Sequence, residues 1–453
     1  MNFEINENLI IWLKLIFREK MGLDFEIKHI NSSQPSWSIL VENTLEISCA
    51  FIPNLYKLGN QNNLPCSKIS IENFEKIYFQ DLISPGIKEA PKSLLERKGS
   101  HIHINYDFIG LIYWCLTRAE EIYPKNKLLD EHSRFKSKYS HAFVNGYLDR
   151  PVVDEWFYFI KFIIKQSLPR VSFSDNKYSI YVSHDVDSPS KYRFLRKRDL
   201  LKTFASTFIK QKKYSEAKNI LEIYLSRDKI LDKDPFNTFD WIMNISESKN
   251  IKSSFYFMTG ISNKGFDSNY KINTNIINNF IKKIHQRGHL IGVHPSYYSY
   301  NKPLMIAKEG LYLKRICENL DIDQTRWGGR MHYLRWEHPT TAIGWEKSGY
   351  QYDSSLTFAD NPGFRCGTCN EYQMYDPIKQ RILNIREKPL IVMEVSLFHE
   401  KYLNLKSKES VINHILSLKN RVKSLDGQFT ILWHNSNLDS KTMQEIYTSI
   451  LDD

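Results

Sequence analysis

Tyr178-Ser-Ile-Tyr-Val-Ser-His184-Asp185-Val186-Asp187 is an apolar, aromatic and β-branched run that ends in two carboxylates one residue apart. A run of this kind reads as a strand, and a strand alternates its faces. Asp185 and Asp187 are therefore expected on one side, His184 and Val186 on the other. Two carboxylates on one face repel unless a proton or a metal cation separates their roles. Taken alone the pair also reads as a polar strand exit, since Asp is common in turns and Ser188-Pro189 follows. The rest of the chain decides.

Downstream of Pro169 to Asn176, where Ser, Asp and Asn interrupt the apolar periodicity, strand-like and helical segments alternate. The strands expected are Tyr178 to Ser183, Ser253 to Met258, Leu290 to His294, Thr325 to Gly329, Tyr350 to Asp353, Leu390 to Val395 and Phe429 to His434. Helical patterns such as Thr274 to Arg287 and Glu409 to Ser424 separate several of them. Such alternation predicts α/β architecture, a parallel sheet or a barrel. A long insertion, Asp199 to Trp241, with a Lys-rich and helical first half, divides the first strand from the second. Upstream, Ser38 to Val41 and Leu45 to Ser48 read as strands, Phe108 to Glu121 and Val153 to Ile163 as helices, and no cluster of candidate ligands stands out.

The 453 residues, 42% hydrophobic and 25% charged, are those of an ordinary globular protein with room for two or three cores. The net charge of +11, from 62 Lys and Arg against 51 Asp and Glu, comes with no nucleic-acid reading motif, so no nucleic-acid partner is expected. One denser block, Lys191-Tyr-Arg193-Phe-Leu-Arg196-Lys197-Arg198, is suited to an anionic ligand or to peripheral contact with a membrane. A solvated helix face is the commoner outcome for such a block. Six irregularly spaced cysteines fit a reducing compartment, with Cys366-Gly-Thr-Cys369 read as a tight turn. The apolar run Leu9 to Phe17 is too short to span a bilayer and reads as a buried opening helix, so the expected location is cytoplasmic.

In a parallel barrel, reactive groups collect at the C-terminal ends of the strands. The expected strands end in Asp185 and Asp187, in His294 and in His434, and one leads into Arg330-Met-His332-Tyr333. Each of these residues alone is a plausible cap or turn former. Together they favour a site.

In this order the motifs resemble those of the polysaccharide deacetylase family (NodB homology, carbohydrate esterase family 4). Asp185-Val-Asp187 is similar to its first motif, Gly288-His-Leu-Ile-Gly-Val-His294-Pro-Ser to the second, Arg330-Met-His-Tyr333 to the third and Leu432-Trp-His434 to the last. The resemblance covers roughly residues 176 to 440. It implies a distorted (β/α)7-type barrel over 171–453, carrying the insertion at about 199–241, behind a smaller mixed α+β domain over 1–170. That first domain is similar to the region preceding the barrel in a subgroup of bacterial deacetylase-like proteins, through His132-Ser-Arg134-Phe135, Ser140-His141-Ala142 and Gly146-Tyr-Leu-Asp-Arg150-Pro151-Val-Val-Asp154-Glu155.

The resemblance further implies a metal-dependent removal of an N-acyl group, of acetyl type, from an amino sugar. The sugar would be free, nucleotide-linked or lipid-linked, in surface-polysaccharide, lipopolysaccharide or glycolipid synthesis. Asp187 and His294 would hold a divalent metal, usually zinc in that family, with Asp185 as base, Arg330 beside it, and His434 as the acid. Tyr333 would assist through its backbone N–H, and Asp353 and Trp433 are expected on the substrate side. One position departs from the pattern, because the family's second histidine is here Tyr298. A phenol with a pKa near about 10 is a poor ligand at neutral pH. His332 is the first replacement, His184 is weaker on strand alternation, and a water or substrate oxygen is a third option. The alternative to catalysis is a degenerate carbohydrate-binding protein that uses the same cleft.

Overall fold

The computed structural model describes residues 5–71, 78–174 and 176–452; Asp175, in the stretch expected to join the two parts, lies outside them. The chain opens with a helix over Glu7–Met21, longer than the apolar run that predicts it. The Asn6 side chain caps it by accepting from the Leu9 N–H, and Gly22 ends it at φ 73°. Its buried face, including Trp12, Ile16 and Phe17, joins an apolar core that runs through both parts, the Trp12 ring lying 5.2 Å from that of Tyr375 and its Nε1 donating to Gln373 O at 2.8 Å.

That part carries β1 (Phe25–Ile30), β2 (Ser36–Val41), β3 (Leu45–Ala50), β4 (Cys66–Ser70), β5 (Asp81–Pro85), β6 (Leu95–Lys98) and β7 (His101–Ile104). A mixed sheet runs in the order β1-β2-β3-β7-β6, and β4 and β5 form a separate pair. Only β2 and β3 were expected. β6 and β7 are four residues each and β6 is largely exposed, whereas β1 matches β2 and β3 in length and alternates Phe25, Ile27 and His29 with charged Glu26 and Lys28. Helices Phe108–Leu116 and Val152–Ser167 complete the layer, the first stopping short of the expected Glu121, where a separate 3-10 turn Ala119–Glu121 follows, and the second running past the expected Ile163.

The second part is built on β8 (Ser179–Val186), β9 (Ser254–Phe257), β10 (Leu290–Val293), β11 (Gly328–Gly329), β12 (Tyr352–Asp353), β13 (Tyr372–Asp376), β14 (Arg381–Glu387), β15 (Val392–Met393) and β16 (Gln428–Leu432). They form one sheet in the order β13-β14-β12-β11-β10-β9-β8-β16-β15, parallel throughout except for the antiparallel β13. The sheet curls. Tyr181 on β8 and Tyr352 on β12 lie four strands apart, about 19 Å in a flat sheet, yet their hydroxyls meet at 2.7 Å. The Arg330 guanidinium, just after β11, likewise reaches Asp185 on β8 at 2.8 Å.

A continuously hydrogen-bonded barrel, the expected form, is not what the ladder shows, because β13 and β15 remain as its ends. The segment 381–393 nevertheless passes from one side to the other. The Lys388 N–H donates to Asp353 O at 2.8 Å, and the Ile391 N–H donates to Thr430 O at 3.3 Å. Two expected strands are shorter than read. Thr325 to Gly329 is reduced to β11, and Leu390 to Val395 to β15, because a helix, Glu394–Phe398, begins there. The hairpin β13–β14 was not expected at all.

Two buried charge clusters fasten the parts together. Asp154 accepts from Lys20 Nζ at 2.5 Å and from the Cys369 N–H at 2.7 Å. Glu121 lies between Arg118 and Arg365. Cys366-Gly-Thr-Cys369 is thus a buried docking turn, its Gly367 carbonyl accepting from the Val153 N–H at 2.8 Å. All six cysteines are free thiols.

Candidate functional site

Strand alternation holds along β8. His184 and Val186 are fully buried, and the His184 ring stacks on Phe255 and pairs Nδ1 with the Trp433 carbonyl at 2.7 Å. Asp185 and Asp187 face the other way, into a cleft of about 340 Å³ at the C-terminal ends of the strands. His184 is therefore a packing residue, remote from any shared ligand position.

The Asp187 side chain is 32% exposed, and its Oδ1 lies 3.3 Å from His294 Nε2 and 3.7 Å from His332 Nε2. One donor atom from each of these three residues fits within 4.8 Å of the others. Both imidazoles are aimed from behind. His294 Nδ1 meets the Arg330 carbonyl at 2.6 Å, and His332 Nδ1 meets Asp267 Oδ1 at 3.1 Å. Each ring thus turns Nε2 inward, the arrangement that orients metal-ligating histidines. Asp187 Oδ1 has no hydrogen-bond partner among the described residues.

Charge tells the same story. Burial pulls the His294 pKa down, but Asp185 and Asp187 outweigh it and hold it above its ordinary value. Burial raises the Asp187 carboxyl, and the surrounding His332, His294 and His434 drive it far below the usual carboxylate range. Negative potential converging on imidazole nitrogens is what a divalent cation requires. The donor set, two nitrogens and a carboxylate oxygen, fits zinc or a similar ion.

Tyr298 stands outside this group. Its side chain is 42% exposed, and its hydroxyl accepts from Asn263 Nδ2 at 3.2 Å. Asp267 was missed in the sequence because it lies in a loop with no motif around it. It accepts from the N–H groups of Ser262, Asn263 and Tyr297 as well as from His332. These bonds, working against its burial, take its pKa down to about 2. Asp267→Asn is expected to weaken zinc affinity by about 10- to 100-fold, whereas Tyr298→Phe is expected to leave it unchanged; competition with a chromophoric chelator measures both.

Asp185 has two neighbours. Arg330 Nη1 donates to its Oδ1 at 2.8 Å, and Oδ2 lies 3.8 Å from His294 Nε2. Across the cleft His434 Nε2 is 3.6 Å from Asp187 Oδ2, while its Nδ1 meets Glu394 Oε1 at 2.6 Å. Burial lowers the His434 pKa, but Glu394 and then Asp187 and Asp185 push it up to about 10. Glu394 directly follows β15, inside the strand expected to run on to Val395, so its place at a strand end shows only in the structure.

Tyr333 lines the cleft, in a turn whose φ values are 60° at Tyr333 and 56° at Leu334. Two successive non-glycine residues in the left-handed region carry a strain of about 1–2 kcal/mol each. The N-terminal part holds this turn. Arg134 Nη1 donates to the Tyr333 carbonyl at 3.1 Å and Nη2 to the Tyr402 hydroxyl at 3.0 Å, while the His132 ring packs 4.7 Å from that of Tyr333. Glu131, His132 and Arg134 all line the cleft. Arg134→Ala is expected to lower turnover about tenfold or more, the cost of one charge-assisted hydrogen bond, with zinc still bound.

Two expected substrate contacts are misplaced. Trp433 is fully buried and packs on Phe398 and Tyr447, because it follows β16 directly and points away from the cleft that its neighbours Leu432 and His434 line. Asp353 is also fully buried, accepting from Trp336 Nε1 at 2.9 Å and from the Ser355 hydroxyl. Neither lines the cleft.

Residues 3–169 match the model of a "Family of unknown function (DUF7033)". No curated protein matches the chain. Similar solved structures include one described as a polysaccharide deacetylase from Mycobacterium smegmatis, 12% identical, covering 62% of this chain and 85% of that one with a TM-score of 0.39. Another is Puue allantoinase, 11% identical, covering 60% and 82% with a TM-score of 0.36. Likenesses this distant assign no role to any residue here.

Proposed function

We propose that the protein is a metal-dependent hydrolase that removes an acetyl-type N-acyl group from an amino sugar used in surface-polysaccharide or glycolipid synthesis. The observation that carries this reading is the unpartnered Asp187 Oδ1 within 3.3 and 3.7 Å of two histidine Nε2 atoms, each locked from behind. The ordered motifs from Asp185 to His434 support the choice of reaction.

A divalent cation held by Asp187, His294 and His332 would acidify its water and polarise the acyl oxygen. Asp185, oriented by Arg330, is the base that takes a proton from the attacking water. The Tyr333 backbone N–H supports the negative charge that develops on the acyl oxygen. His434, its Nδ1 fixed on Glu394, gives a proton to the departing amine nitrogen. The cleft, about 340 Å³ in volume, accommodates a sugar-sized ligand.

The test is release of acyl group and free amine from free, nucleotide-linked and lipid-linked N-acetylated amino sugars, with zinc loaded, removed by chelation and restored. Release that follows the metal is the expected result. Zinc-loaded protein that binds these sugars and releases nothing would overturn the hydrolase reading.

A further inference from the structure

The insertion carries a feature that neither the cleft nor the core uses. Residues 191–233 hold thirteen Lys and Arg against five Asp and Glu, a net +8 of the chain's +11. They form a helix, Lys197–Ala205, a π-helical turn, Ser206–Lys210, and a second helix, Tyr214–Leu225. One face of this hairpin is satisfied, since Leu200, Ile220 and Ile223 pack with Tyr192 in a small core of their own.

A neighbouring face is apolar too, and none of the described residues covers it. Leu201, Phe208, Ile209, Tyr214, Leu221 and Leu225 are exposed, six of the eighteen exposed large apolar side chains among the described residues. Their spacing is helical, with Leu201, Phe204 and Phe208 on the first helix and its π-helical turn, and Tyr214, Leu221 and Leu225 on the second. The Phe208 and Tyr214 rings meet at 5.0 Å and join the two stripes. Around them stand Lys197, Arg198, Lys202, Lys210 and Lys212. The ion pairs of this segment, Lys213–Glu216, Lys218–Glu222 and Lys233–Glu222, involve none of these five among the described residues.

We propose that this hairpin docks the protein on a membrane surface rich in anionic lipid. A continuous apolar stripe edged by cations matches a lipid interface on both counts, with acyl boundary for Leu and Ile and headgroup charge for Lys and Arg. A second copy of the chain fits poorly, because face-to-face packing would set +8 against +8. A nucleic acid answers the charge and leaves the aliphatic stripe wet.

The hairpin stands at the same end of the sheet as the cleft. It leaves from the end of β8, and its base is tied beside His434, where Asn435 Nδ2 donates to Ser188 O at 3.0 Å and to Phe236 O at 2.8 Å. A docked hairpin therefore brings the cleft to the lipid surface.

The experiment is co-sedimentation of the full chain with phosphatidylcholine vesicles, with and without phosphatidylglycerol, at low and high salt. Anionic vesicles are expected to bind at least about tenfold more protein, with part of that binding lost in salt. Leu201→Glu, Ile209→Glu and Leu225→Glu together are expected to abolish binding with the melting temperature unchanged, since all three side chains are solvent-facing. The proposal is overturned if the native chain stays in solution with anionic vesicles at low salt, or if the triple variant binds as the native chain does. It is equally overturned if the native chain is a dimer that the triple variant dissociates and neither form binds vesicles. Sedimentation needs neither metal nor turnover, so its outcome is independent of the hydrolase reading.

Discussion

The two aspartates of Asp185-Val-Asp187 are expected to fail in different ways. Asp187→Ala should lose the bound ion and turnover together, because Asp187 Oδ1 is the oxygen between the two histidine nitrogens. Asp185→Asn should keep the ion and the fold and lower kcat by about 10²- to 10⁴-fold, the usual contribution of a general base. Its amide oxygen can still accept from Arg330 Nη1, as Asp185 Oδ1 does at 2.8 Å, so the guanidinium is not orphaned. What the amide cannot do is take a proton. Zinc stoichiometry, melting temperature and acyl release, measured on both variants, separate ligand from base. Loss of zinc from Asp185→Asn, or its retention by Asp187→Ala, would reverse the assignment.

That both aspartates face the cleft was legible from strand alternation alone, whereas their separate roles are what the resemblance of the ordered motifs implies. The pattern Ser183-His184-Asp185-Val186-Asp187 sends every second residue to the cleft, and the structure keeps that register through the end of β8. His294 and His434 follow the same rule, each one or two residues beyond a parallel strand. Their supporting carboxylates were harder to read. Glu394 begins a helix where a strand was expected to continue, and Asp267 sits in a loop whose position depends on packing against Tyr297 and His332. Trp433 was misread because adjacency in sequence to His434 means the opposite face of the chain.

The contribution of the N-terminal part was illegible for a different reason. His132 and Arg134 approach Tyr333 only through contacts between segments about 200 residues apart in the chain, and no local periodicity encodes such contacts. The same holds for the curl of the sheet. It rests on side chains of distant strands meeting in the interior, such as Tyr181 with Tyr352, and neither tyrosine signals its partner in the sequence.

Arg330→Ala is expected to be the most destabilising single change at the site, by about 3–5 kcal/mol. Arg330 is fully buried, and its side chain ties the segment after β12 to β8. It donates to Asp185 on β8 and Ser183 on β8, each at 2.8 Å, and to the carbonyl and hydroxyl of Ser354, just past β12, at 2.7 and 3.1 Å. Removing it leaves the buried Asp185 carboxylate without its cation, and that unpaired charge makes up most of the cost. Adding Asp185→Asn to Arg330→Ala should therefore recover part of the lost stability, although Asp185→Asn alone gains none. Denaturant unfolding of the two single variants and the double variant reads this coupling directly. A double variant less stable than Arg330→Ala would mean that the carboxylate is solvated, and that Asp185 at the C-terminal end of β8 is not the buried base that the mechanism needs.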